Sequence, residues 1–214
     1  MRYVDPDGRK DRYTDNIVKD KQMPKCDNRQ MIKLEKVRGI VIHWTGNKAN
    51  QNPLEIINFW TTDNKPHSAQ YLISNKGLIS QVMPETEVAF HSGQNISEGN
   101  LYTLIANQIL ALSGKSSVNF SLIGIELVPI LGINGDENGK DAGKFSEQTI
   151  DAAVQLTAEL MIKYNLNPDT DLYRHYDLTG KLCPLYYVDD KKWIDFKNKV
   201  KKEMQILKNK EVDE

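Results

Sequence analysis

The chain has 214 residues, a formal net charge of −1, 39% hydrophobic residues and 27% charged residues. That length holds one sizeable domain whose core needs no disulfides, and the near-neutral balance offers no general attraction to nucleic acid or to an anionic membrane. No apolar run approaches the roughly 20 residues of a membrane span.

The first residues, MRYVDPDGRKDRYTDN, are polar and lack an apolar centre, so no signal peptide is expected in this chain. Residues 1–36 have few apolar positions and no sustained period, and read as an N-terminal extension or linker. The domain is expected over 37–207. It opens with GIVIHW, an apolar β-branched run that reads as a buried strand. Asn52 as N-cap and Pro53 at the first helical position predict a helix over 53–61, with Ile56, Ile57 and Trp60 on one face. Segments 68–74 and 77–83 are strand-like, and Asn75-Lys76-Gly77 between them signals a hairpin. A short segment over 88–91 ends in Ser-Gly, and residues 100–112 read as a helix.

LIGIELV at 122–128 is the second buried strand, followed by a Gly- and Asp-rich loop over 132–144. SEQTIDAAVQLTAELMIKY is the clearest helix. Ser146 can cap it, Glu147 suits its positive end, and Ile150, Val154, Thr157, Met161 and Tyr164 share a face. After a short segment at 172–175, YRHYDLTGKLCP reads as a loop. A last helix opens at Asp190, with Trp193, Phe196, Val200, Met204 and Leu207 in one stripe and its lysines on a solvated face, and 208–214 form a charged tail. These elements predict an α/β fold: one domain with a mixed central sheet flanked by helices on its faces. The expected state is a monomer.

Four histidines and two cysteines carry the candidate chemistry. Two cysteines make no disulfide framework, so Cys26 and Cys183 are both expected reduced. His43 interrupts an apolar strand and needs a partner there, as a satisfied core histidine or as a ligand. Cys183 is open to three readings: an inert buried thiol, a nucleophile or a metal ligand. His175 and Cys183 lie eight positions apart on one loop, with Gly180 for the turn. Thiolate plus imidazole suits zinc, and three protein ligands, with His43 as the third, leave an open coordination position. The nucleophile reading is weaker, because Pro184 follows Cys183 instead of a helix that would lower its pKa.

Taken in order, these segments resemble the zinc-dependent N-acetylmuramoyl-L-alanine amidases, a group that includes phage lysozyme-type amidases and peptidoglycan recognition proteins. The resemblance covers residues 39–196. IVIHWT is similar to the family's first ligand strand. SAQYLISNKGLISQVMPETEVAFHSG resembles its hairpin and the turn that follows. NFSLIGIELV resembles its N-x-x-S-I-G-I-E strand, and RHYDLTGKLCP its H-x-D-x-x-x-K-x-[DC]-P ligand loop.

The resemblance implies zinc as cofactor, with His43, His175 and Cys183 as ligands. It makes Glu126 the general base, Lys181 the cation that stabilises the transition state, and His91 a cleft residue that contacts substrate. Peptidoglycan or a muropeptide is the implied partner, and the amide between the N-acetylmuramic acid lactyl group and L-alanine the bond cut. Action on the cell wall then requires export by a route other than a signal peptide, and otherwise the chain is cytoplasmic. Physical chemistry agrees with these roles. An open zinc site polarises a carbonyl and activates water, a cation beside a thiolate ligand offsets its charge, and a cleft carboxylate can move the proton.

The chain departs from the family in the hairpin. Gln70 replaces a histidine that would have to be matched through its amide, and Ala69 stands where the phage type has a catalytic tyrosine. Residues 96–119 look like an insertion. His67 has no matching role and reads as a surface residue. RYVDPDGR resembles the end of the repeat core of Rhs-type proteins, or is simply an Asp-Pro-Asp-Gly turn. Two other functions remain open: a module that binds muropeptides without cutting them, and a thiol hydrolase with Cys183 as nucleophile and His175 as base.

Overall fold

A computed structural model describes residues 22–46, 48–92 and 101–212 of the chain. RYVDPDGR and residues 96–100 of the expected insertion lie outside them.

The elements follow the order strand β1 (Gly39–Trp44), helix α1 (Pro53–Thr62), strands β2 (Tyr71–Ile73) and β3 (Ile79–Gln81), helix α2 (Leu101–Ser113), strand β4 (Leu122–Leu127), helix α3 (Glu147–Lys163), strand β5 (Leu172–Arg174), helix α4 (His175–Thr179) and helix α5 (Asp190–Val212). The strands form one sheet in the order β3-β2-β4-β1-β5. β1 runs parallel to β4 and β5, β2 runs parallel to β4, and only the hairpin β2–β3 is antiparallel. The sheet is therefore mixed, as the segments predict.

Both faces of the central strands are covered, which is why they read as continuous apolar runs. Ile40, Ile42 and Trp44 of β1 and Ile123, Ile125 and Leu127 of β4 join one core with α3 and α5. Val41 and Leu122 point the other way, into a cluster with Ala106 and Ile109 of α2 and Leu178 of α4. On the same second face Leu72 packs with Ile56, Ile57 and Trp60 of α1. Strand alternation puts His43, Gly124 and Glu126 on this second face, between the cover of α1 and that of α2 and α4.

The caps behave as expected. The Asn52 side chain accepts from Leu54 N, and the Ser146 hydroxyl accepts from Thr149 N. Residues 22–36, expected as an extension or linker, are stitched onto the domain. Met23 N donates to Val82 O, Leu34 N to Thr86 O, and the Asn28 amide to Trp60 O and Asp63 O. Helix α5 continues through 208–212, past the end of its apolar stripe.

One local reading changes. Part of YRHYDLTGKLCP, read as a loop, is the helix α4. Its signal is polar rather than periodic. The Asp177 carboxylate accepts from the Arg174 backbone N and side chain, closing a capping box. Gly180 ends the turn in the left-handed region at φ 75°.

Candidate metal and catalytic site

The parallel register brings the site together. His43 of β1 lies directly opposite Glu126 of β4. Ile42 pairs with Arg174 of β5, so His175, the next residue of that chain segment, emerges beside His43. The two rings meet edge-on with centroids 4.7 Å apart. All three residues stand at the carboxyl ends of parallel strands, where open α/β sheets collect their ligands.

Cys183 arrives by a return of the chain. After Gly180 the backbone doubles back, and Tyr176 N donates to Cys183 O at 2.8 Å. That bond carries Sγ to 3.7 Å from His43 Nδ1. One nitrogen of each imidazole and Sγ lie within 4.8 Å of one another, and all three side chains are buried.

Two atoms in this cluster have no hydrogen-bond partner, His175 Nδ1 and Glu126 Oε2. Leaving a buried polar atom unmet costs roughly 1–3 kcal/mol. Two soft-to-borderline imidazoles and a thiol around one point are the donor set of a zinc-like ion. The residues therefore fit a metal, and His43, His175 and Cys183 could hold it.

Electrostatics support the same use. Burial, then the neighbouring His175, His91 and Lys181, hold His43 neutral. Burial and Lys181 also push His175 down to about 3. Neutral imidazole is the ligating form. Burial raises the Cys183 thiol, while a backbone hydrogen bond from Trp44 favours its thiolate. Without a cation Cys183 stays a thiol, and at 2% exposure it is a poor nucleophile. Burial lifts the Glu126 carboxyl to about 8, against the pull of Lys181. Lys181 itself is exposed and lines the cleft with Glu126 and the three ligand candidates.

The other expected residues fall in informative places. His91, expected as a cleft residue that contacts substrate, does line the cleft, and its ring also meets His43, with Nδ1 3.0 Å from His43 Nε2 and Nε2 3.3 Å from Leu122 O. Gln70 is fully buried, and its side-chain hydrogen bonds go to no candidate ligand. Its amide accepts from Gly124 N and donates to Glu87 O, each at 2.8 Å, tying β4 to the loop after the hairpin. Ala69 is buried against α1 and brings no hydroxyl to the cleft.

His67, read as a surface residue, lines the cleft. Its Nε2 is 3.1 Å from Asp63 Oδ2, and its ring lies against Phe59. The i,i+4 spacing of Asp63 and His67 straddles the end of α1, so no periodic signal joined them.

The pattern of the family described as N-acetylmuramoyl-L-alanine amidase matches residues 33–185. The chain is 32% identical to the N-acetylmuramoyl-L-alanine amidase BlyA of Bacillus subtilis (strain 168), over 81% of this chain and 43% of that protein. It is 28% identical to a probable N-acetylmuramoyl-L-alanine amidase of Bacillus licheniformis, over 76% of this chain and 40% of that protein. The chain thus spans less than half the length of these curated relatives. Among solved structures, a mutant endolysin from Bacillus subtilis superposes with a TM-score of 0.60 at 24% identity, covering 86% of this chain and 98% of that one. This likeness bears on the fold alone.

Proposed function

The chain belongs to the N-acetylmuramoyl-L-alanine amidase family, and from that premise we propose that it hydrolyses the amide between the lactyl group of N-acetylmuramic acid and L-alanine. Its substrate would be peptidoglycan or a soluble muropeptide, and its cofactor zinc, held by His43, His175 and Cys183. The observation that carries the reading is the convergence of these three side chains beside a carboxylate, Glu126, whose Oε2 has no partner.

Bound zinc supplies a Lewis acid and lowers the pKa of water to about 7. Glu126 accepts a proton from the attacking water and passes it to the leaving alanine nitrogen as the carbon–nitrogen bond breaks. Its raised affinity for protons suits a group that must both take and give one. Lys181, on the open side of the cleft, stabilises the negative charge that develops on the carbonyl oxygen. Ala69 offers no phenol, so the proton transfers fall to Glu126 alone. We take residues 37–207, with the strap 22–36, as the unit that does this. Its work is then at the cell wall. Among the described residues no helix is long and apolar enough to cross a membrane.

The test is digestion of purified peptidoglycan with and without chelator and added zinc. New alanine amino termini without new reducing ends, abolished by chelator and restored by zinc, support the amidase. Binding without release by zinc-loaded protein would replace it with a muropeptide-binding module. Release that survives chelation would point to Cys183 as a nucleophile.

A further inference from the structure

His91 sits directly against the candidate ligand His43. His91 Nε2 lies 3.3 Å from Leu122 O. A carbonyl oxygen only accepts, so Nε2 carries the hydrogen. A neutral imidazole carries one N–H, so with Nε2 donating to Leu122 O the His91 Nδ1 is a bare lone pair. His43 Nε2, 3.0 Å from that lone pair, must donate to it. The neutral His43 ring therefore has its free lone pair on Nδ1, the atom 3.7 Å from Cys183 Sγ.

His175 Nδ1 has no hydrogen-bond partner, and its ring packs edge-on against His43. The dipeptide against His43 Nε2 is His91-Ser92.

The dipeptide is itself held in place. Ser92 N donates to the Asn119 side chain at 2.9 Å, and Ser92 Oγ lies 2.9 Å from His91 Nδ1. The His91 ring lies on β4 at Gly124, where a Cβ would come within 2.6 Å of its Cγ. The Gln70 amide, fully buried, accepts from Gly124 N on the same stretch of strand. Only a residue without a side chain lets the imidazole approach the sheet closely enough to reach His43.

We infer that His91 is a positioning residue of the metal site: its imidazole takes the Nε2–H of His43, so that the His43 Nδ1 lone pair is presented to the ion together with Cys183. Outer hydrogen bonds of this kind fix the tautomer and ring angle of a ligand imidazole and raise its basicity. His91 acts through His43: its ring lines the cleft, but its Nδ1 meets His43 Nε2 and its Nε2 meets Leu122 O. The inference deepens the proposed function and rests on its reading of His43, His175 and Cys183 as the metal ligands.

Two measurements test it. In the zinc-loaded wild-type chain, long-range proton–nitrogen correlation spectra of the imidazoles should show Nε2–H on His43. An Nδ1–H on that ring would overturn the inference without any variant having to fold. Competition with a chromophoric chelator should then show zinc affinity lower by roughly 10–100-fold in His91→Phe. His91→Asn, whose amide oxygen can accept where Nδ1 did, should stay within a few-fold of wild type, and both variants should keep the wild-type KM when zinc is in excess. Unchanged zinc affinity in His91→Phe, or equal loss in both variants, would overturn the role of the acceptor. A raised KM with unchanged zinc affinity would return His91 to the substrate. A wild-type chain that takes up no zinc would overturn the metal reading, and the positioning role with it.

Discussion

His43 and Glu126 face each other across the β1–β4 register, one a candidate ligand and the other a candidate base on adjacent parallel strands. Parallel pairing keeps their side chains on the same sheet face. The carboxylate is therefore held beside the ion's position by main-chain hydrogen bonds, with no flexible loop between them. A base built on rigid strands holds its geometry better than one on a loop.

Glu126→Gln keeps the shape and removes the base. Zinc affinity should change little, while turnover of peptidoglycan falls by roughly 10²–10⁴-fold. Zinc titration beside an assay of released alanine termini checks both halves. A variant that retains wild-type turnover would move the base elsewhere.

Cys183→Ala removes the one candidate ligand that would bind the ion as an anion. Zinc at a hundred times its Kd should stabilise the wild-type chain by about 2.7 kcal/mol, and the variant by much less. Urea denaturation with and without zinc reads the difference. Equal stabilisation of both chains would remove Cys183 from the site.

Lys181→Met should leave zinc binding intact, because Lys181 ligates nothing. It should lower kcat by roughly 10²–10³-fold if the ammonium meets developing charge, the range seen when one such donor is deleted. A rise in KM with unchanged kcat would instead mark Lys181 as a binding residue.

Gln70→Ala should weaken the fold before it weakens the metal. It leaves the Gly124 N–H and the Glu87 carbonyl without their partner, which costs roughly 1–3 kcal/mol. Chemical denaturation of the metal-free protein measures the loss. If stability is unchanged and zinc affinity alone drops, Gln70 acts on the site directly, as the family's histidine was expected to.

The metal-free chain should be most stable near pH 6.5. His91 and His175 are depressed to about 4 and about 3, and His43 is also lowered, from an ordinary 6.5. Below 6.5 the unfolded chain takes up protons that these buried rings refuse, so stability falls as pH falls. Glu126, raised from 4.5 to about 8, has the opposite sign. Between those values the folded chain keeps a proton that the unfolded chain releases, so stability also declines toward pH 8. Where the windows overlap, three bases outweigh one acid. Urea midpoints from pH 4 to 9 check this, and Glu126→Gln should flatten the alkaline limb and steepen the acid limb between pH 4.5 and 6.5.

Several features were legible in the residues because their signals are local. The apolar runs of β1 and β4, the caps at Asn52 and Ser146, and the hairpin glycine each act within a few positions. α4 was not legible as a helix. It is five residues long and is held by an Arg174–Asp177 contact, with too few turns for an apolar period. His67 was missed because its place depends on where the end of α1 meets the cleft.

By itself the sequence determined the candidate site residues, two histidines, a cysteine, a glutamate and a lysine, and the order of elements that carry them. Only the tertiary structure decided that the His91 ring meets His43 as well as the cleft, and that the Gln70 amide bonds Gly124 and Glu87. Residue type sets what a side chain can donate, accept or ligate. Which atom it meets depends on strand register and on close approach at Gly124, and these contacts join residues far apart in the chain.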